Sequence, residues 1–293
     1  MATHVLIDKA FYFKKEDKIN KLYLLFEKYN IDKDFISKEP DDKPIDIFYN
    51  SQITSYKFPF ETLNKLIPFA EKGKKIVFLV YYHHHQKQLV NNFYNKYNSL
   101  NSNIKKNILI INADNIKTNQ LTFGLDFEEI AILENNSKIF IHGAENEGGC
   151  RAIHEAICCG CYLFVKDNLK GGGLDNLPQN GYTLYNYNNF DTQLNNAFLL
   201  QKKYKCEEKN IQNISSIYTF KKLMKHFYEK LNYKCSFEDF IKESKNEVLQ
   251  LNIAGHNKNV LWVKENSVDA QIVYNDQIRK FKLYIDSAIK LIK

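Results

Sequence analysis

The chain has 293 residues, of which 44% are hydrophobic and 26% are charged, as is ordinary for a soluble globular protein with a substantial core. The net charge of +7 comes from basic residues scattered in short pairs, without a basic-aromatic module, which argues against nucleic-acid binding. No apolar run approaches the roughly 18 residues that a membrane span needs.

Six cysteines are present, and four of them lie within residues 150–161 in a spacing that fits no usual zinc site. We interpret them as small side chains that pack a helix, and we expect no metal. The chain shows no signal peptide, so a reducing, cytoplasmic setting is expected.

Strands and helices alternate in the first half of the chain. Residues 45–49 predict a strand, and the apolar spacing of Leu63 and Leu66 predicts a helix that ends at Gly73. The following elements are a buried strand at 75–82, a helix at 86–97 and a strand at 107–112.

The second half continues the alternation. Predicted helices lie at 126–135, 149–159, 190–200 and 218–231, with predicted strands at 138–142, 162–166 and 182–185. Strands that alternate with helices of this length form a parallel sheet covered on both faces. We therefore predict a Rossmann-like α/β domain.

The predicted Rossmann-like domain covers residues 45–235. Residues 1–44 form an N-terminal extension with one strand at 4–7, one helix at 16–29 and a polar linker. Residues 236–293 form a C-terminal extension of a helix, a hairpin and a final helix. Neither extension is large enough to form a second Rossmann domain.

The turn after the predicted strand 138–142 has the chemistry of a ligand site. Ligands of open parallel sheets bind at the carboxyl ends of the strands, where helix N-termini present backbone N–H groups. Gly148 and Gly149 would let a diphosphate approach the backbone here, and Glu147 and Glu155 bracket the turn. Carboxylates beside a diphosphate suit the hydroxyl groups of a sugar.

The run from Glu147 to Gly160 resembles the donor-site motif of retaining glycosyltransferases with the GT-B fold, of the glycogen-synthase and sucrose-synthase type (family 4 type). That motif reads roughly E-G-F-G-x-x-x-x-E-A-x-x-x-G. Residues 172–174 and 180–182 are similar to the family's G-G-x-x-E and N-G-x-L segments, and residues 31–35 resemble its interdomain hinge. The resemblance lies within the C-terminal, nucleotide-sugar-binding half of the family.

The resemblance implies roles for the residues of the motif. Glu155 would hold the ribose hydroxyl groups of a nucleotide such as UDP or GDP, and Glu147 would hold those of the donor sugar. The amides of Gly148, Gly149 and Cys150 would contact the diphosphate and the sugar. The resemblance also implies retention of anomeric configuration, with no cofactor and no metal.

Cations that neutralise the leaving diphosphate are the second part of the family's site. Lys57 is the counterpart of the family's lysine, so Glu147 and Lys57 would be the catalytic residues. The family's arginine falls near Ser51, and Arg151 either compensates for it or is a surface residue. Gly172 and Gly173 either close on the donor sugar or form only a flexible turn.

Two functions remain open. The first is a glycosyltransferase that moves a sugar from a nucleotide diphosphate to a carbohydrate or lipid-linked acceptor. Because residues 1–44 would be only a remnant of an acceptor domain, a further domain or a partner subunit would supply the acceptor site. The second is a non-catalytic nucleotide-sugar-binding or assembly module, which the serine at position 51 favours.

Overall fold

The computed structural model describes residues 15–37, 40, 42–81, 86–112, 125, 127–146, 151–170, 174 and 177–206. The chain divides into two compact units, Met1–Ser216 and Ile217–Lys293, and all of the described residues lie in the first. The strand predicted at 4–7, the helix at 218–231 and the extension at 236–293 lie outside the described residues. The domain boundaries after residues 44 and 235 stay predictions.

The described residues form one sheet of six parallel strands in the order β3-β2-β1-β4-β5-β6. The strands are β1 (Ile45–Gln52), β2 (Ile76–Tyr81), β3 (Ile108–Asn112), β4 (Ser137–His142), β5 (Tyr162–Lys166) and β6 (Tyr182–Tyr185). The helices are α1 (Lys15–Lys28), α2 (Pro59–Glu71), α3 (Lys87–Asn98), α4 (Ser102–Lys105), α5 (Phe127–Asn135), α6 (Arg151–Cys158) and α7 (Phe190–Gln201).

Each face of the sheet has its own hydrophobic core. One core joins Phe26 of α1, Leu133 of α5 and Ile153 of α6 to the strands, and all three side chains are fully buried. The other joins Leu63 of α2, Phe93 of α3 and Leu194 of α7 to the opposite face. Side chains that alternate between two covered faces explain why the strands read as continuous apolar runs. The predicted Rossmann-like α/β class is confirmed.

The predicted elements that fall on the described residues agree with the structure to within a few residues. The differences are the end of the first strand, the 3₁₀ helices Lys33–Phe35 and Ser55–Lys57, and one short helix. The first strand continues to Gln52, since Asn50, Ser51 and Gln52 pair with Leu79, Val80 and Tyr81 of β2. The polar character of these three residues hid the extension. The short helix α4 was also missed; Asn101 caps it by accepting a hydrogen bond from the Ile104 amide at 3.0 Å.

Helix α1 shares its core with the strands. Leu22 and Phe26 are fully buried in the same cluster as the strand residues, and α1 packs against α5. Hydrogen bonds also join α1 and the residue after it to α5: Lys28 Nζ and the Tyr29 hydroxyl both donate to Glu129, at 2.5 and 2.7 Å. Among the described residues, no helix combines the length and the apolar character needed to cross a bilayer.

Two leucines of α7 provide a matched test of the core. Leu194 is fully buried and Leu199 is 63% exposed. We expect Leu194→Ala to lower the free energy of unfolding by about 2–5 kcal/mol, because it leaves a cavity. Leu199→Ala should change it by less than about 0.5 kcal/mol. Urea denaturation measures both, and equal effects would contradict the packing of α7 on the sheet.

Candidate functional site

The candidate site lies where the strand order reverses. β1 pairs with β2 on one side and with β4 on the other, so the connections after β1 and β4 turn to opposite faces of the sheet. A crevice opens at the carboxyl ends of such a strand pair. The turn after β1, which includes the 3₁₀ helix Ser55–Lys57, meets the turn after β4 here: the Glu145 amide donates to the Tyr56 carbonyl at 3.2 Å.

Gly143 allows these two turns to approach each other. A Cβ atom at position 143 would lie 2.8 Å from the Lys57 carbonyl oxygen, closer than real Cβ contacts come. The same carbonyl accepts a hydrogen bond from the Tyr49 hydroxyl at 2.8 Å. The main chain of Lys57 is therefore held from β1 and packed against the turn after β4.

Both residues predicted from the first strand lie near its carboxyl end. Ser51 belongs to β1 itself, opposite Val80, and its hydroxyl donates to the Gln52 carbonyl at 3.3 Å. Lys57 ends the 3₁₀ helix that follows, and its ammonium lies 5.9 Å from the centre of the Tyr56 ring. Lys57 thus places a cation beside the crevice, whereas Ser51 contributes a neutral hydroxyl group.

Helix α6 brings two of the predicted site residues into direct contact. Arg151 and Glu155 are one turn apart, and Arg151 Nε donates to Glu155 Oε1 at 2.6 Å. The Glu155 side chain is only 17% exposed. Burial raises the pKa of Glu155, and the charge of Arg151 opposes that rise. Arg151 therefore begins the helix as the partner of Glu155, so it is not an isolated surface cation.

Glu134 is a buried acid next to this pair. Its side chain, near the end of α5, is fully inaccessible to solvent. Burial raises its pKa well above the ordinary value, and the nearby carboxylate of Glu155 raises it further. The thiol of Cys159 and the cations of Lys43 and Arg151 act in the opposite direction. Glu134 therefore keeps its proton to a higher pH than an exposed glutamate does.

A buried lysine at the end of β5 was missed by the sequence analysis. The Lys166 side chain is 6% exposed, and its ammonium donates to Glu145 Oε1 at 2.5 Å. The amide of Asn168 donates to the same oxygen at 3.2 Å. The Lys166 ammonium also lies 3.7 Å from the centre of the Phe58 ring and 5.0 Å from that of Tyr187. Lys166 thus links the segments that follow β1, β4 and β6.

One sequence signal could have found Lys166. A lysine that ends an apolar strand of a parallel sheet lies at the edge where ligands bind. Its partner could not have been predicted, because Glu145 is 21 residues away in the sequence.

Six of the predicted site residues lie outside the described residues, so their roles stay predictions. They are Glu147, Gly148, Gly149, Cys150, Gly172 and Gly173. The described residues beside them are paired: Asn146 and Lys170 form a parallel bridge, and the Lys170 amide donates to the Glu145 carbonyl at 2.7 Å. Within the described ranges, no three His, Cys, Asp or Glu side chains come together as a metal site requires.

The chain matches no protein-family model and no curated protein, whereas solved glycosyltransferase structures are similar to it. Sucrose-phosphate synthase from Thermosynechococcus elongatus is 13% identical, with a TM-score of 0.51 over 78% of this chain and 51% of that one. The C-terminal domain of a glycosyl transferase group 1 family protein (LpcC) from Francisella tularensis is 15% identical, with a TM-score of 0.47 over 69% of this chain and 92% of that domain. A UDP-forming α,α-trehalose-phosphate synthase from Burkholderia xenovorans is 9% identical, with a TM-score of 0.47 over 68% of this chain and 43% of that one.

The likeness to sucrose-phosphate synthase is one of fold. The chain spans about half the length of that enzyme, and 13% of the aligned residues are identical. It agrees with the Rossmann-like domain of GT-B type that the sequence predicted, and it leaves the activity of this chain to be argued from the site itself.

Replacing Gly143 tests the contact between the two turns. Gly143→Ala should lower the free energy of unfolding by about 1–3 kcal/mol, because the new methyl group overlaps the Lys57 carbonyl. Hydrogen exchange of the Glu145 amide, which donates to Tyr56, should become faster. Gly73→Ala is the control for the exchange: it also costs stability, because φ there is +84°, but a Cβ at position 73 meets nothing within 4 Å, so exchange of the Glu145 amide should stay unchanged. Unchanged exchange at Glu145 in Gly143→Ala would contradict the close approach.

The raised pKa of Glu134 predicts a pH dependence. A carboxyl group whose pKa is higher in the folded state stabilises the fold below its unfolded pKa, and that contribution is lost as pH rises towards the folded pKa. Glu134→Gln removes the titration, so its free energy of unfolding should rise relative to that of the wild type as the pH increases above 4.5, the ordinary pKa of a glutamate. The gain is at most about 1.4 kcal/mol per pH unit.

The exposed Glu128 of the same helix provides the control for Glu134→Gln. Its carboxylate pairs with Lys21 at 2.7 Å. Glu128→Gln removes the same side-chain charge without touching the buried group. If the stabilities of the two variants respond alike to pH, burial does not raise the pKa of Glu134.

Proposed function

We propose that this chain binds a nucleotide-diphosphate sugar and takes part in glycosyl transfer, as the nucleotide-sugar domain of a GT-B-type glycosyltransferase. The observation that carries the proposal is the reversal of strand order at β1 and β4. It brings the turn of Lys57 and the turn that leads to Arg151 and Glu155 to the same edge of the sheet. A cation, a helix N-terminus and a half-buried carboxylate suit a ligand with both phosphate and hydroxyl groups.

The diphosphate would bind between the two turns. Lys57 precedes α2, and Arg151 begins α6, so both cations add to the positive ends of helix dipoles. An arginine side chain has five N–H donors, so one bond to Glu155 leaves donors that can reach a phosphate oxygen. Amides of the segment 147–150 would complete the phosphate contacts.

The hydroxyl groups of the ligand would bind to carboxylates. Glu155 would accept hydrogen bonds from the ribose, and Arg151 would hold the Glu155 carboxylate in its ionised form for that role. Glu147 would accept hydrogen bonds from the donor sugar, beside a segment that includes Gly172 and Gly173.

In the transfer step, the bond from the anomeric carbon to the diphosphate breaks and a bond to the acceptor oxygen forms, with loss of the acceptor proton. Negative charge grows on the leaving diphosphate, so fixed cations lower the barrier. Lys57 and Arg151 would supply this stabilisation without a metal ion, and the anomeric configuration would be retained. A further domain or a partner subunit would bind the carbohydrate or lipid-linked acceptor.

Ser51 favours a second candidate function. A serine hydroxyl that donates to the Gln52 carbonyl cannot neutralise a phosphate charge. If Arg151 does not replace that cation, the chain would bind the nucleotide sugar without turning it over and would act as a binding or assembly module.

A thermal-shift titration with UDP, GDP, ADP and their sugars tests the proposal. One nucleotide should raise the melting temperature of the wild type. At one hundred times its Kd, it should add about 2.7 kcal/mol to the free energy of unfolding. Glu155→Ala should lose the shift, because it removes the carboxylate that binds the ribose. Glu71→Ala, which changes an exposed glutamate at the end of α2, should keep it.

Three outcomes lead to different conclusions. If no nucleotide shifts the wild type, the donor-site interpretation is wrong. If a nucleotide binds and its sugar is hydrolysed or transferred in a Lys57-dependent manner, the chain is an enzyme. Tight binding without release of nucleoside diphosphate, across carbohydrate and lipid-linked acceptors, identifies the binding module.

A further inference from the structure

The Lys166 ammonium is buried, although a lysine at the end of a strand could extend into solvent. Its ammonium is buried between the Glu145 carboxylate and the rings of Phe58 and Tyr187. A lysine is seldom buried unless it is paired, and a ring face 3.7 Å from an ammonium is a close cation–π contact. The three partners follow three different strands, so one cation holds three segments together at the ligand edge.

Phe58 is the partner whose backbone is constrained. Its φ and ψ angles are 53° and 44°, in the left-handed region, which is uncommon for a bulky side chain. Such a conformation persists only where the surroundings over-determine it. Phe58 precedes Pro59, the first residue of α2, and its ring packs 5.8 Å from that of Tyr187 and against Lys166.

The conformation of Phe58 sets the position of Lys57. The two residues are adjacent, and the left-handed turn at Phe58 redirects the chain from the 3₁₀ helix into α2. The Lys57 carbonyl accepts from the Tyr49 hydroxyl at 2.8 Å and its amide donates to the Thr54 carbonyl at 3.2 Å, and Phe58 fixes the direction in which the chain leaves Lys57.

We propose that Lys166 is a positioning residue for Lys57: it holds the ring of Phe58 and thereby fixes the main chain from which the Lys57 side chain reaches the candidate phosphate site. Glu145 keeps the Lys166 ammonium in place. The part of this inference that concerns ligand binding rests on the proposed function, whereas the coupling of Lys166 to Phe58 does not.

The anchoring of Glu145 explains how it can hold Lys166. Its amide donates to the Tyr56 carbonyl at 3.2 Å, and its own carbonyl accepts from the Lys170 amide at 2.7 Å. Its carboxylate also accepts from Asn168. The hydrogen bond from Lys166, followed by that from Asn168, lowers the pKa of Glu145 and so favours its carboxylate form. Glu145 thus aligns Lys166 with the same turn that carries Lys57.

A double-mutant cycle tests the coupling without any ligand. Lys166→Met keeps the length and apolar stem of the side chain but removes the charge, and Phe58→Leu removes the ring. If the ring and the cation act together, the loss of melting temperature in the double variant should be clearly smaller than the sum of the two single losses. Lys166→Met combined with Phe26→Leu, on the opposite face of the sheet, should be additive. Additivity in both cycles would overturn the inference.

A second arm connects the coupling to the site. The probes are the UDP, GDP and ADP of the titration described above. Lys166→Met should weaken the binding of the nucleotide that binds the wild type by about 5- to 30-fold, a typical range for coupling between sites. The same substitution in a Lys57→Ala background should cause little further loss, because Lys57 is what Lys166 positions. Lys166→Arg keeps the cation and should recover part of the affinity.

The outcomes distinguish this inference from the proposed function. If no nucleotide binds the wild type, the proposed function fails, and the cycle between Lys166 and Phe58 still decides whether the coupling exists. If a nucleotide binds and Lys166→Met weakens it equally with and without Lys57, Lys166 does not act through Lys57. Should Lys166→Met not fold, Glu145→Gln replaces it in both arms, since Glu145 is one-third exposed and its substitution removes the carboxylate that holds the Lys166 ammonium.

Discussion

The pairing of β1 with β4 is the constraint on which the rest of the structure depends. Because β1 lies between β2 and β4 and is parallel to both, the helices that follow β1 and β4 must cover opposite faces of the sheet. The carboxyl ends of the six described strands then lie at one edge, and between β1 and β4 the connections diverge. The crevice, the close approach at Gly143 and the meeting of the two turns all follow from this strand pair.

Charge is buried on both sides of this crevice, and burial there costs stability. On the α6 side, the buried Glu134, whose pKa is raised by burial, lies beside the pair of Arg151 and Glu155. On the α2 side, Lys166 is paired with Glu145. Apolar residues of similar volume would often stabilise such positions at least as well as buried ion pairs do. The hydrophobic cores therefore explain the fold, whereas the charged side chains at this edge need a functional explanation.

The sequence predicted the sheet well because its strands are apolar runs and its helices have one apolar face. Where polar residues continue a strand, as at Ser51, pairing with the neighbouring strand decides the boundary, and no local pattern reveals it. The contact between Arg151 and Glu155 could have been predicted from their spacing of one helical turn. The contacts of Lys166 with Phe58 and Glu145 could not have been predicted, because they depend on distances between loops that only the folded sheet determines.

The serine at position 51 limits what the site can do and indicates how it would work. A diphosphate leaving group needs compensating charge, and a hydroxyl that donates to its own neighbour's carbonyl supplies none. Besides Lys166, whose charge is paired with Glu145, the described cations that the proposal assigns to the phosphate site are Lys57, on a constrained turn, and Arg151, at the start of α6. Lys57 is a single point charge, and the Arg151 guanidinium also holds Glu155. The positions of these two cations therefore matter more than their number. Under the proposed function, fixing the backbone of Lys57 would keep its charge at the phosphate site, and Lys166 is placed to do so through Phe58.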